Sequence, residues 1–191
     1  MNDLLALTII IFWLIIPLFW IPVHYATSFL RKIGLLTYAM PLFTWLPLSY
    51  LIYKNKSCLF EFRIDMPEII NFIGILILIT GTLLHIWTAR LLGLWGIIGV
   101  PEIITKTKKH FVTKGPFSIV RHPTYLAHTC MFSGAFFITG VMAVGIITIL
   151  DFLTVTTLII PLEEKELASR YGKSYQSYRK KVPYRLIPRL F

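Results

Sequence analysis

Residues 67–89 read PEIINFIGILILITGTLLHIWTA, and the only strongly polar side chains in them are Glu68, Asn71 and His85. A helix needs roughly 20 mostly apolar residues to cross about 30 Å of hydrocarbon. This run is long enough, which makes it a membrane span. Asp65 is placed to cap it, Pro67 suits a first turn, and Glu68 has capping-box spacing. Gly74 and Gly81 lie seven residues apart, on one face, where a neighbouring helix can approach closely.

Outward from this run, residues 4–23, 33–53, 123–139 and 141–160 are similarly apolar. Pro41 and Pro47 are expected to kink the second span, and Pro161 to break the last at the membrane exit. The short joint around Gly140 and Gly145 folds the last two spans into a helical hairpin. The expected fold is all-α and multi-pass, with about five spans, a C-terminal hairpin and an amphipathic tail. Residues 1–191 form a single membrane domain, with three spans in 1–91 and a loop, hairpin and tail in 92–191. The first span lacks a basic leader and a small-residue cleavage site, so it reads as retained.

Composition agrees. Of 191 residues 56% are hydrophobic, 15% aromatic and only 15% charged, against about 25% charged in ordinary soluble domains. Mean hydropathy is +0.72. A soluble domain and a disordered chain are both excluded. The net charge of +10 accompanies no nucleic-acid motif, so it reads as basic residues gathered in cytoplasmic loops. With five spans the N-terminus lies outside. Residues 90–122 and the tail, which together hold most of the 19 basic residues, share the cytoplasmic face. Cys58 and Cys130 form no disulfide framework, and no ligand spacing marks a metal site.

Polar residues cluster on that face. Pro123 disfavours helix at His122, so Arg121 and His122 precede a helix N-terminus, which attracts anions. Tyr125, His128, Thr129 and Ser133 follow on one face. Glu163, Glu164 and Glu166 lie just past Pro161. Two readings stay open: packing and headgroup contacts, or a two-signed pocket suited to a zwitterion. Asp151 falls within a span, on a stripe with Thr148, Thr154 and Thr157; it serves either interhelical hydrogen bonding or substrate contact. His85 and Arg90 reach the same face. Tyr171, Tyr175 and Tyr178 give the tail an interfacial pattern that could lid the pocket. Taken alone, these residues define a cytoplasmic-face polar site and no reaction.

An ordered set of motifs says more. Gly115-Pro116-Phe117, Arg121-His122-Pro123-Thr124-Tyr125, Glu163-Glu164 and Tyr171-Gly172-Lys173-Ser174-Tyr175-Gln176-Ser177-Tyr178 together resemble the isoprenylcysteine carboxyl methyltransferase and phospholipid methyltransferase superfamily. The resemblance covers about residues 92–188. It implies a transferase using S-adenosylmethionine (SAM) at a site enclosed by the hairpin, the preceding loop and the tail. Carried over by position, it assigns cofactor binding to Lys109, His110, Phe111, Val112, Gly115, Phe117, His122, Pro123, Thr124, Tyr125 and Glu163. Beside that resemblance, the positions of the residues themselves lead us to expect catalysis from Arg121, Glu163 and Glu164, and substrate contact from Arg121, His128 and Asp151, with His128 or Asp151 as base if the acceptor is an amine. The acceptor the resemblance implies is lipidic or prenylated, foremost the carboxyl group of an isoprenylcysteine, otherwise a phospholipid amine.

This sequence departs from the pattern at three points. Its histidine at 110 is one place late, Phe117 replaces a usual tyrosine, and Ile159 stands where the family often has a substrate-carboxylate arginine. Residues 182–188 (Val-Pro-Tyr-Arg-Leu-Ile-Pro) are similar to the end of membrane sterol reductases, which would imply NADPH instead.

Overall fold

The computed structural model describes residues 2–104 and 111–188. These are 82% helical, with no strands among the described residues. The main helices in chain order are α1 (Asn2–Tyr25), α2 (Thr27–Lys54) and α3 (Glu68–Ile97), then α4 (Pro123–Thr139), α5 (Met142–Tyr171) and α6 (Lys173–Lys181). By length and hydropathy α1, α2, α3 and α5 can each cross a bilayer. The fifth expected span, α4, has 17 residues, the lower limit of the roughly 17–25 that reach across. The expectation of five spans thus becomes four long helices and one shorter partner.

The ends and breaks of the helices differ from expectation for local reasons. Asp65 and Glu68 do not cap α3. Pro67 is itself the N-cap (φ −55°, ψ 148°), with no side-chain cap bond. Its carbonyl accepts from the N–H groups of Ile70 and Asn71 at 2.9 and 3.1 Å. At the other end α3 runs past residue 89 to Ile97, so the connection expected over 90–122 begins as helix. The chain bends at Gly93 (φ 70°, ψ 168°), a conformation open to glycine and strained for other residues.

Pro161 does not end α5. It offers no N–H to the carbonyl four residues back, and the wider i→i+5 turn of Val155–Ile159 takes up the disruption before it. The helix therefore carries Glu163, Glu164 and Glu166 on the same rod as Asp151. A matching π-turn, Ile16–Trp20, precedes Pro22 in α1. In α2 the expected kink appears as a 3₁₀ stretch, Gly34–Ala39, and an irregular Thr44 (φ −109°, ψ −61°) between Pro41 and Pro47.

α3 and α4 make the most extensive helix contact. The glycine face expected from the sequence lies in it. A Cβ on Gly74 would come within 2.8 Å of Phe137 Cβ, and one on Gly81 within 2.9 Å of the Ala127 carbonyl oxygen. The main core joins α1, α4 and α5 through Ala6, Ile10, Phe132, Ala135, Val144 and Val155, and it also takes in Leu186 beyond α6. The outer face of α3, including Phe72, Ile79, Leu83 and Trp87, is exposed, as a lipid-facing surface must be. The α4–α5 joint turns at Gly140 (φ 64°). It is tied to residues 62–64 by Ile64 N–H to the Gly140 carbonyl (2.9 Å) and Met142 N–H to the Phe62 carbonyl (3.0 Å).

Candidate functional site

Arg121 and His122 stand before the first turn of α4, as the proline predicts, and both are buried. The segment after α6 lies against them. Arg121 N–H donates to the Tyr184 carbonyl and His122 N–H to the Arg185 carbonyl, both at 2.9 Å. The Arg121 guanidinium donates through Nε to Glu164 Oε1 (2.7 Å) and through Nη1 to the Val182 and Pro183 carbonyls (2.8 and 2.6 Å). Arg185 Nη2 donates to Glu164 Oε2 at 3.2 Å. Arg121 thus latches the tail to α4 and α5, with a buried carboxylate balancing its charge.

Glu163 faces another way. Its Oε2 lies 3.5 Å from His122 Nδ1, while His122 Nε2 lies 3.4 Å from Glu164 Oε1. The imidazole is therefore held between two carboxylates from successive residues of α5. The Tyr125 side chain also bonds Glu163, and His24 of α1 is near enough to act on its charge. His24 is buried and stacks on Trp20, with ring centroids 5.4 Å apart. Sequence reasoning missed His24. Its only signal was a histidine one turn after a tryptophan at the end of the first span.

Burial opposes a charge on His122, but the Glu163 and Glu164 carboxylates outweigh it and raise its pKa above the ordinary value. A raised folded-state pKa stabilises the fold fully below the unfolded value, about 6.5. That stabilisation fades as pH rises through the folded value. Thermal unfolding in detergent should therefore occur at progressively lower temperature as pH rises above about 6.5. The slope should flatten in His122→Asn; an unchanged slope would remove His122 as its source.

The tail closes over the same region. Tyr175 and Tyr178 are buried against Phe111, with ring centroids 5.7 and 5.3 Å away, and burial pushes both phenols upward in pKa. Tyr178 donates to the Phe117 carbonyl at 2.7 Å. Gly115 (φ 59°) seats this loop on α3, where a Cβ would press on Leu91 and Trp87. A surface hollow of about 370 Å³ lined by Phe111, Ser177 and Tyr178 does not include His122 or Glu163. Val112 is half-buried, Thr124 sits in the first turn of α4, and Lys109 and His110 lie outside the described residues.

The remaining candidates lie outside this cluster, with His128 next to it through the Tyr125 ring. Asp151 is buried within α5 beside Trp13 of α1. Thr148 and Thr157 donate to carbonyls of their own helix, those of Val144 and Leu153 (2.8 and 2.7 Å), and not across it. His128 meets His85 of α3 at 5.0 Å between ring centroids. Glu166 joins Arg31 (2.8 Å) and Arg170 (3.1 Å) in a separate ion cluster. Among the described residues no group of three or more metal-ligating side chains converges.

An all-α, multi-pass fold with a buried acid–histidine cluster where the last two membrane helices meet the tail defines a class of membrane-embedded proteins. The chain belongs to the phospholipid methyltransferase family, whose family model matches residues 69–174. That stretch runs from the start of α3 into α6. Among curated proteins, it is 35% identical over 83 residues to a methanethiol S-methyltransferase of Crocosphaera subtropica, covering 43% of this chain and 31% of that one. It is 38% identical over 76 residues to methanethiol S-methyltransferase 2 of Bradyrhizobium diazoefficiens, covering 39% and 27%. It is 30% identical over 101 residues to a Delta(14)-sterol reductase of Mus musculus, covering 50% and 23%. The matched stretch thus spans less than a third of each of these relatives' own length. No solved structure matches the chain.

Proposed function

We propose that the chain is a SAM-dependent methyltransferase acting on a lipidic or prenylated acceptor held in the membrane. The observation that carries this reading is the part-buried Glu163, whose enclosed Oε2 makes a long 3.5 Å contact to His122 Nδ1, beside the N-terminus of α4. The donor set fits a group with both signs of charge. A carboxylate suits the cationic end, and the histidine with the first-turn N–H groups of a helix suits a carboxylate end. The family membership of residues 69–174 supports the same assignment.

When bound, SAM would supply a methyl group on a positively charged sulfur. Glu163 and Tyr125 would orient the cationic end, and His122 the opposite end. The buried tail, with Tyr175, Tyr178 and Leu186, would exclude water from the reacting atoms. Arg121 and Glu164 would hold that tail in place, so their part in the reaction is positional. The basic face formed by the loop and tail would lie in the cytoplasm, with the N-terminus outside.

The resemblance implies a prenylcysteine carboxyl acceptor. At position 159, where the family often has an arginine for it, Ile159 is fully buried in the core. Prenylcysteine, aminolipid and thiol acceptors therefore belong in one screen. The sterol-reductase relative favours a second reading, a nicotinamide-dependent membrane reductase.

Calorimetry with SAM and with NADPH on detergent-purified protein separates the two. SAM should bind saturably, and Glu163→Ala should weaken it about 10- to 100-fold, as expected for losing one charge-assisted contact. Undiminished affinity in a folded variant would count against Glu163. NADPH binding without SAM binding would favour the reductase.

A further inference from the structure

The face of α3 opposite its lipid-exposed side holds a pair of histidines that the cluster above does not use. His85 of α3 and His128 of α4 stand with ring centroids 5.0 Å apart. Both Nδ1 atoms are buried without a hydrogen-bond partner. The close glycine contacts at Gly74, Gly81 and Gly134 seal most of this interface, yet here two polar rings meet. Polar side chains without partners are costly in a membrane interior, and they persist there mainly where they serve a function.

The pair is also connected to the site. From His122 the rings run to Tyr125 (6.0 Å), to His128 (6.3 Å) and on to His85 (5.0 Å). Along a helix rising 1.5 Å per residue, His128 lies about 9 Å deeper than His122. His85 is only half-buried, and its neighbours Leu83 and Ile86 face lipid. The rings of His122, Tyr125, His128 and His85 therefore form a continuous row from the N-terminus of α4 into the α3–α4 interface.

We propose that His128, backed by His85, is the base that removes the proton from a protic acceptor, a thiol or an amine, presented from the lipid phase. The proposal rests on the methyltransferase reading above and narrows its acceptor. A carboxylate is already ionised at neutral pH and needs no base, whereas a thiol (pKa about 8.5) or an ammonium group does. In the step, the acceptor's sulfur or nitrogen lone pair forms the bond to the methyl carbon. The carbon–sulfur bond of the methylsulfonium donor breaks, and its electron pair stays on the donor sulfur. The acceptor's S–H or N–H proton passes to the His128 imidazole and from there to water.

The titratable groups facing His128 are His85 from α3 and Tyr125 from its own helix. α1 and α5, also packed on α4, bring Asp3, which is bonded to Arg63 at 2.7 Å, and Asp151, which lies beside Trp13.

The test uses the full chain in detergent with His128→Gln and, as a second variant from the half-exposed side, His85→Gln. SAM affinity by calorimetry should be unchanged in both. Methyl transfer to decanethiol or to a lysophosphatidylethanolamine should fall at least about 100-fold in His128→Gln. It should recover as pH is raised toward the acceptor's own pKa. Without SAM, adding decanethiol should move the resonances of both histidines in protein with carbon-labelled imidazoles. Transfer to thiol and amine with an unaltered pH profile in both variants would overturn the proposal. So would a wild type that methylates only farnesylcysteine carboxylate. A wild type that binds no SAM would overturn the donor reading itself, and this inference with it.

Discussion

Arg121→Ala is expected to destabilise the protein by about 3–5 kcal/mol, the usual cost of removing one partner of a buried ion pair. The variant leaves the Glu164 carboxylate buried without its 2.7 Å donor and strips two donors from the Val182 and Pro183 carbonyls. Arg185, with its 3.2 Å contact, keeps hold of one Glu164 oxygen only. The segment after α6 should then detach. Trypsin should cut at Arg185 in the variant long before it does in the parent, and thermal unfolding in detergent should shift down. Arg121→Ala combined with Glu164→Gln should recover part of the loss, because the orphaned charge is removed. A variant as stable and as protease-resistant as the parent would mean that Arg121 does not latch the tail.

Gly134→Val is expected to cost more than the roughly 1–3 kcal/mol of ordinary overpacking. A Cβ at Gly134 would lie 2.6 Å from the Leu78 amide nitrogen and 2.7 Å from the Gly74 carbonyl oxygen. Both are backbone atoms of α3, so no rotamer change can relieve the overlap. The helices must separate, and the His85–His128 contact between them goes with the separation. By contrast, Gly96→Ala would meet only the Leu92 side chain of its own helix and should be mild. Thermal unfolding of both variants in the same detergent makes the comparison. Equal midpoints would show that the α3–α4 approach is not a determinant of stability.

Much of the fold was legible beforehand because a bilayer imposes a simple requirement: backbone polar groups must pair within the segment, and side chains facing lipid must be apolar. The run at 67–89, the hairpin at Gly140 and the glycine face of α3 all follow from that rule. The end of α5 did not. Pro161 reads as a breaker, but the π-turn before it lets the helix continue. A proline's effect depends on whether the turn before it can rearrange, and hydropathy carries no information about that. The capping of α3 differed for a related reason. Pro67 took the cap position itself, and several local solutions of similar energy were open to Asp65-Met66-Pro67-Glu68.

The candidate site divides in the same way. Sequence by itself determined an all-α membrane chain and the helix start at Pro123. It also determined which residues could bear charge near that end of the spans, Arg121, His122, Glu163 and Glu164 among them. Only the tertiary structure decided what each of these meets. Arg121 reads as an anion contact from position alone, yet folding turns it onto Glu164 and the tail carbonyls. His24 looks unremarkable in a span of hydropathy, yet it comes within electrostatic range of Glu163 once α1 packs against the end of α5. Partners such as His24 and Glu163, or Arg121 and Pro183, are remote along the chain, and no local pattern or period joins them. Close packing brings them together, and the cost of burying charge selects which pairs remain.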